Sequence, residues 1–164
     1  MPATLPTPIE FRMPQGWLPA RPGEVENAPV AFAAVHPHPD NGFAANITID
    51  GDMQMVTVAL SDLADAAVER LREVAESVTV VGRRDVATAG APSLIQRLAF
   101  TAAVHGVRRD LAQTQVYLSV PDARDARRRA VIRLVLTASA AQHDEVLGEF
   151  QDIIRSIRLD DEVA

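Results

Sequence analysis

Three apolar segments follow one another in the second half of the chain: LIQRLAFTAAV (residues 94–104), AQTQVYLSV (112–120) and AVIRLVLTA (130–138). Their enrichment in Val, Leu, Ile and Ala over about ten residues is typical of strands in a protein core. Only short turns separate them, at His105-Gly106 and between Pro121 and Arg129. Because short connections join neighbouring strands that run in opposite directions, these segments predict an antiparallel meander.

Four further strands are predicted before this meander. The segment Val78–Val86 joins it through the turn Gly90-Ala91-Pro92. The other three strands are Ile9–Met13, Val30–Val35 and Phe43–Asp50. Prolines between the first two of them predict a loop over Leu18–Pro29.

Two amphipathic helices complete the predicted fold. The first begins at a Ser61 N-cap and keeps apolar residues at helical spacing as far as Val78. The second begins at a capping box formed by Ser139 and Gln142. Its apolar stripe consists of Val146, Leu147, Phe150, Ile153, Ile154 and Ile157. This order of elements predicts an α+β domain, in which two main helices pack on an antiparallel sheet of about six to seven strands.

The composition excludes several kinds of chemistry. The chain has no cysteine, which rules out disulfides, thiolate nucleophiles and a lipidated N-terminal Cys. All 16 basic residues are arginine, so Schiff-base and P-loop lysines are excluded. Neither a G-x-G-x-x-G pattern nor a G-x-S-x-G pattern occurs. We therefore predict that the protein is not an enzyme and needs no cofactor.

Charge and hydropathy limit the kinds of partner that the protein is expected to bind and the cellular compartment in which it is expected. A net charge of −6 argues against nucleic-acid binding, which depends on clustered basic residues. No segment approaches the roughly 20 apolar residues of a membrane span, and the N-terminus does not resemble a signal peptide. We expect a cytoplasmic protein with a flexible Pro-rich start (1–8), a single domain (9–159) and an acidic tail (160–164).

Four short motifs are distributed along the chain. The opening Phe11–Trp17 has the pattern F-x-x-P-x-G-W, and Phe43–Ile47 has the pattern F-x-x-N-I. The other two are Leu111–Gln115 and Val135–Ser139, the latter just before the last helix. Together these motifs resemble those of PsbP-like domains of the DcrB and LpqN type. The resemblance covers about the whole chain and points to an actinobacterial branch of these proteins.

The resemblance implies a curved antiparallel sheet between helices, an α/β/α sandwich. It also implies a role in binding or assembly, because PsbP-like proteins include photosystem subunits, a Ran-binding protein, secretion chaperones and actinobacterial lipoproteins. No shared catalytic site comes with it.

Three groups of residues are candidates for contact with a protein partner. Met53 and Met55 suit an adaptable apolar surface, although core filling is the competing interpretation. The arginines Arg127, Arg128 and Arg129 form a dense basic patch that suits an acidic partner, although a solvated hairpin loop has the same composition. Trp17 is either a partner contact or a lid over a sheet edge.

The run from His36 to Asp40 brings two imidazoles and a carboxylate within a few residues, a combination that suits zinc or nickel. The alternating prolines Pro37 and Pro39 hold this run extended and provide no rigid second shell. A solvated loop is therefore the favoured interpretation, and we predict no metal site.

The leading hypothesis is a non-catalytic, accessory or chaperone-like module that binds a protein partner through its sheet face or the Met53–Val58 region. A second hypothesis is a small-molecule or enzymatic pocket that Trp17, Tyr117 and Arg97 line. A third is a homodimer formed by pairing of sheet edges.

Overall fold

The structure is a computed structural model that describes residues 5–20, 31–88 and 91–159. Its strands are β1 (Ile9–Glu10), β2 (Leu18–Pro19), β3 (Phe32–Val35), β4 (Asn46–Met55), β5 (Glu76–Thr88), β6 (Ala91–Val104), β7 (Val107–Pro121), β8 (Arg128–Ser139) and β9 (Arg158–Leu159). Its helices are α1 (Leu60–Val74), between β4 and β5, and α2 (His143–Ser156), between β8 and β9.

The main sheet has seven antiparallel strands in the order β2-β3-β4-β8-β7-β6-β5. The predicted meander is confirmed, because β5, β6, β7 and β8 are neighbours in sequence order. The predicted first strand is shorter than expected and lies outside this sheet, since β1 pairs with β9. Together with the two helices, these strands confirm the predicted α+β sandwich.

The predicted loop over Leu18–Pro29 is wrong at its start, because Leu18 and Pro19 form the edge strand β2. They pair with Val35 and Ala34 of β3. A proline is acceptable there because an edge strand does not need every N–H for the ladder. The rest of the predicted loop, from residue 21 onward, lies outside the described residues.

One face of the sheet packs against α2. Side chains of alternate residues in β4 and β8, such as Ile47 and Leu134, meet the helix side chains Phe150 and Ile153 in one cluster that water does not reach. This alternation follows from the two-residue repeat of a strand. Leu5 lies against the same cluster, while the flexible start (1–8) and the acidic tail (160–164) stay predictions.

The opposite face packs against α1. Ala64 and Ala67 of the helix contact Leu94 and Tyr117, and Val68 contacts a neighbouring cluster farther along the sheet. Small alanine side chains on the inner face of α1 allow the helix to approach the strands closely. The helices therefore lie on opposite faces of one sheet.

Both helix starts differ from the predictions. The N-cap of α1 is Ala59 rather than Ser61, and the Asp62 carboxylate accepts the Ala59 N–H at 3.3 Å. At α2, Ser139 Oγ accepts the Gln142 N–H, but the Gln142 side chain donates to the His38 carbonyl instead of closing a capping box. At α2, a tertiary contact of the Gln142 side chain therefore takes the place of the predicted capping box.

The end of α1 also differs from the prediction. The helix ends at Val74, where the backbone of Ala75 becomes extended and Ser77 takes a positive φ of 55°. Val78, predicted as the last apolar position of the helix, instead lies in β5 and packs beside Val68.

Strand β4 continues beyond Asp50, where we predicted its end. A Cβ on Gly51 would lie 2.7 Å from the Val131 carbonyl oxygen, closer than any real Cβ contact. Glycine at this position therefore lets β4 run close beside β8 as far as Met55. Within the described part of the chain, neither helix is long and apolar enough to cross a bilayer.

Candidate functional site

Pairing of β4 with β8 brings together two of the predicted partner-binding segments. Met55 lies opposite Arg128, and Met53 lies opposite Ala130. Just beyond the strand, the Val56 N–H donates to the Arg127 carbonyl at 2.8 Å. We call this surface the β4–β8 corner; it consists of Met53, Met55, Val56, Arg127 and Arg128.

The β4–β8 corner exposes apolar and cationic groups side by side. Met55 and Val56 are 47% and 46% exposed, whereas Met53 is partly buried. Arg127 pairs with Asp125 at 3.1 Å, and hydrogen bonds from the Arg127 side chain and backbone lower the pKa of that carboxyl group. Arg128 has no carboxylate within 4.0 Å among the described residues. The corner therefore carries a positive charge that its neighbours do not balance.

The third arginine of the patch projects from the other face of the sheet. Arg129 follows Arg128 in β8, so its side chain points to the side of α1. Its guanidinium donates to Ser119 Oγ at 3.2 Å and to the Val58 carbonyl. There it lines a cavity of about 460 Å³ at the start of α1. The basic patch of the sequence is thus divided between two surfaces.

Trp17 is buried and does not take part in the corner. It belongs to the core cluster on the α2 side, is 7% exposed, and donates its indole N–H to Glu149. Its ring meets His36 edge to face, with 5.1 Å between the centroids. The position fits the interpretation of Trp17 as a lid better than a role in partner contact.

The pocket predicted from Trp17, Tyr117 and Arg97 is not formed, because these side chains lie on different faces of the sheet. Arg97 donates to Asp144 at 2.6 Å on the α2 side. Tyr117 lies in the α1-side cluster, where its hydroxyl donates to Gln115 at 2.9 Å. Residues with odd and even positions in a strand point in opposite directions, and strand register was not available from the sequence.

A polar cleft of about 290 Å³ lies beside α1 and was not predicted from the sequence. Part of its lining is formed by Asp50, Arg133, Tyr117 and Arg70. Arg133 donates two hydrogen bonds to Asp50, at 3.1 and 2.8 Å. Burial raises the pKa of the Tyr117 phenol, so it remains a neutral donor. Asp50 and Arg133 therefore satisfy each other, and Asp52 and Arg70 supply the other two charges of the polar lining.

The run from His36 to Asp40 forms a hydrogen-bonded loop. His36 Nδ1 contacts the backbone of His38, and Asp40 accepts a hydrogen bond from Ser139 at 2.6 Å. Among the residues that the structure describes, no three His, Asp or Glu side chains are grouped so as to hold a metal ion.

His143 is a buried titratable group, and as a neighbour of Asp144 on a helix it was not predicted to form a catalytic pair. Its side chain is fully buried at the start of α2, with Nε2 2.9 Å from Thr114 Oγ1 and Nδ1 3.2 Å from Arg97. Burial, and then the charge of Arg97, lower the pKa of His143, while Asp144 opposes the shift. The imidazole is therefore held in its neutral form.

This burial predicts a loss of stability in mild acid. The unfolded chain takes up a proton on His143 near pH 6.5, whereas the folded chain does so only at lower pH. The contribution of His143 to the free energy of unfolding should therefore be constant above about pH 6.5 and fall as the pH drops from there to the lowered pKa of the folded protein. Urea titrations at several pH values would measure this fall.

The matched variant is His143→Gln, which keeps a polar side chain but cannot titrate. We expect it to be less stable than the parent by about 1–2 kcal/mol at neutral pH, because its hydrogen bonds are poorer. Its stability should depend less on pH between about 6.5 and 5. Asp144, whose pKa is lowered chiefly by its hydrogen bond to Arg97, acts only at lower pH, near its usual value of 3.8. An unchanged pH profile in the variant would contradict the assignment.

The chain matches no protein-family model, and no curated protein matches it in sequence. Its structure is similar to that of LpqN of Mycobacterium tuberculosis, a protein involved in cell envelope biogenesis, with a TM-score of 0.67 and 14% identity over 94% of this chain and 85% of LpqN.

It is also similar to CyanoP, the PsbP of Synechocystis sp. PCC 6803, with a TM-score of 0.53 and 13% identity over 92% of this chain and 86% of CyanoP. For the Ran-binding protein Mog1p of Saccharomyces cerevisiae the TM-score is 0.56, with 13% identity over 92% of this chain and 89% of Mog1p. Similarity at this level of identity concerns the fold alone, and the fold of this chain is the PsbP-like fold that its motifs predicted.

Proposed function

We propose that this chain is a non-catalytic accessory module that binds a protein partner through the β4–β8 corner. The observation that carries the proposal is that exposed apolar side chains lie beside an arginine whose charge no neighbouring carboxylate balances. Met55 and Arg128 are cross-strand neighbours, and Val56 follows Met55 and donates its N–H to the Arg127 carbonyl. Exposed Met and Arg side chains are enriched at protein interfaces, where they supply adaptable apolar contact and directional hydrogen bonds.

The charge of the corner specifies the chemistry of the partner. The chain as a whole has a net charge of −6, so the positive charge of the corner is opposite in sign to that of the protein overall. Such a contrast steers a negatively charged partner to one orientation. We infer that the partner presents an acidic segment with at least one apolar side chain, which would cover Met55 and Val56.

The structural neighbours support a binding role. Mog1p is a Ran-binding protein, so a domain of this fold can serve protein recognition. The β4–β8 corner replaces the broader sheet face that we expected to dock the partner, because α2 covers one face and α1 covers part of the other. The cytoplasmic location stays a prediction from the sequence.

Site-specific photocrosslinking would test the proposal. A photoreactive amino acid at Met55 should give a discrete adduct with a partner in lysate of the source organism, and mass spectrometry would identify the partner. The same amino acid at Val74, which is 77% exposed at the end of α1, is the control and should give no such adduct. Equal labelling from both positions would show that the adduct reflects exposure alone.

Charge reversal would then measure the contribution of the corner. We expect Arg128→Glu to weaken binding of the identified partner about tenfold, because attraction becomes repulsion. Stability should change by no more than about 0.5 kcal/mol, since the side chain is exposed. Arg158→Glu, an exposed arginine in β9, is the matched control and should bind normally. If both variants bind as tightly as the parent, the corner is not the docking surface.

A homodimer stays a prediction and has a definite candidate edge. Strand β5 is a long edge of the main sheet, and Val80 and Val81 within it are 39% and 58% exposed. Two register shifts in its pairing with β6 interrupt the regular edge, which is a common protection against strand addition. Measurement of the solution mass would decide between monomer and dimer.

A further inference from the structure

We propose that the β4–β8 corner also has an occupant within the same chain, the acidic segment 160–164. The segment has the sequence Asp-Asp-Glu-Val-Ala and follows β9 directly, outside the described residues. It combines three carboxylates with the apolar side chain of Val163. This composition is the one that we infer for the partner. The inference therefore rests on the proposed function and adds a competitor within the same chain.

The segment leaves the domain in the direction of the corner. Strand β9 ends at Leu159, which pairs with Ile9 of β1. From Ile9 toward the N-terminus, the chain comes to Pro6, whose Cδ is 3.1 Å from the position of a Cβ on Gly51. Because β9 is antiparallel to β1, a chain that continues past Leu159 runs in the direction in which Pro6 lies. Segment 160–164 therefore starts toward Gly51.

Gly51 shares its face of the sheet with the corner. Met53 and Met55 are the next alternate residues of β4, so their side chains project to the side on which Pro6 covers Gly51. Arg128 is opposite Met55 and projects to the same side, where it is a diagonal neighbour of Met53. Apolar and positive side chains of the corner therefore lie on the side where the segment begins.

The segment is long enough to reach the near end of the corner. Five extended residues span at most about 16–18 Å. Met53 lies about 7 Å beyond Gly51 and Met55 about 13 Å, at roughly 3.3 Å per strand residue. The first residues after Leu159 would cover the distance to Gly51, and the remainder would lie over Met53. The long side chain of Arg128 is within reach of that position.

Charge complementarity favours the contact. Arg128 has no carboxylate within 4.0 Å among the described residues, whereas the segment carries three. Because both groups belong to one chain, their effective concentration is on the order of millimolar, so a weak attraction is enough to populate the contact. A partner has to displace the segment, and its apparent affinity falls with the fraction of corners that are open.

Paramagnetic labelling of the full chain would test the contact. Because the chain has no cysteine, Ala164→Cys provides a single attachment site for a nitroxide, which broadens the NMR signals of nearby groups. We expect the methyl signals of Met53 and Met55 to lose intensity. Met13, which follows β1 in the chain and lies away from the corner, provides the reference signal.

The matched control keeps the length of the segment and removes its charge, through Asp160→Asn, Asp161→Asn and Glu162→Gln in the labelled chain. Both chains tether the nitroxide at the same point, so only the attraction to the corner differs between them. We expect a smaller loss of the two methionine signals in the control. Arg128→Gln in the parent should reduce the loss to the level of the control. High salt should have the same effect, because Arg128 is exposed.

The neutral segment should also bind the partner more tightly. A corner that is covered about two-thirds of the time binds its partner about threefold more weakly than an open one. In a titration with the partner identified by crosslinking, the chain with the neutral segment should therefore gain about threefold in affinity. An unchanged affinity would overturn the competition.

Equal signal loss from the charged and the neutral segment would overturn the contact, as would an unchanged loss in Arg128→Gln. A partner adduct from Met55 together with equal signal loss would leave the proposed function standing and remove only this inference. Selective signal loss without any partner adduct would support the contact and contradict the proposed partner. The two proposals therefore fail separately.

Discussion

Replacing Phe150 with alanine should lower the free energy of unfolding by about 3–5 kcal/mol, the largest effect that we expect from a single substitution. The Phe150 ring is completely buried between α2 and the sheet, in the cluster that also contains Ile47 and Leu134. Removing the ring deletes a large apolar surface and leaves a cavity that strands fixed in a seven-stranded sheet cannot fill. Total stabilities are about 5–15 kcal/mol, so this loss is a large fraction of the whole.

Urea unfolding followed by circular dichroism would measure the change for Phe150→Ala. Leu147→Ala is the control on the same helix, because Leu147 is only partly buried at the edge of the same cluster. We expect Leu147→Ala to lose roughly half as much stability or less. Equal losses for the two variants would show that general helix weakening, and not the buried ring, determines the effect.

Replacing Gln96 with leucine should lower the free energy of unfolding by about 2–4 kcal/mol, although the substitution makes the core more apolar. Gln96 is completely buried in β6 under α1. Its amide donates to the Ala64 carbonyl at 3.2 Å and to Gln115 at 3.0 Å, and its oxygen accepts from Arg83 at 2.9 Å. Leucine would leave a partly buried arginine and a helix carbonyl without these partners.

The network around Gln96 extends across the sheet, which explains why one residue has so large an expected effect. Gln115 donates to Gln113 at 2.6 Å, and Gln113 donates to Thr137 at 2.9 Å. Because members of such a chain orient one another, loss of one disturbs the rest.

Gln54→Leu is the matched control for Gln96→Leu. Gln54 also lies in a strand, but its amide hydrogen bond to Asp52 is exposed to water. We expect this control to change stability by no more than about 0.5 kcal/mol. The prediction is refuted if Gln96→Leu proves as stable as Gln54→Leu in thermal or urea unfolding. Near equality would mean that the apolar gain in the core offsets the lost hydrogen bonds.

The proposed partner-binding surface arises where regular structure ends. The β4–β8 corner forms where β4 ends and β8 begins. Residues at these positions are released from core packing, so their side chains can serve recognition. Arg128 and Arg129, adjacent in the chain, reach different surfaces because successive strand residues point to opposite faces.

Much of the fold was predictable from local patterns. The apolar stripe of α2 identified Phe150 as a core residue, and the turn at His105-Gly106 identified the hairpin between β6 and β7. Both signals lie within a few neighbouring residues, because helix and strand periodicities repeat over two to four positions. Met55 and Arg128 were each named as candidates for the same reason, as apolar or charged residues in recognisable local settings.

Only the tertiary structure brought Met55 and Arg128 together. Strand register places Met55 opposite Arg128 and turns Arg129 toward the α1 cavity. Packing between distant segments buries Trp17 beside Glu149. A shift of one residue in register would move every side chain of a strand to the other face, yet it would leave the sequence pattern unchanged. The sequence by itself therefore determined the two helices, the four-strand meander, their order and the core of each helix, but not the short strands β2 and β9. Only the tertiary structure determined which polar and charged side chains share a surface. Those contacts join residues that are far apart in the sequence, where helix and strand periodicity gives no information.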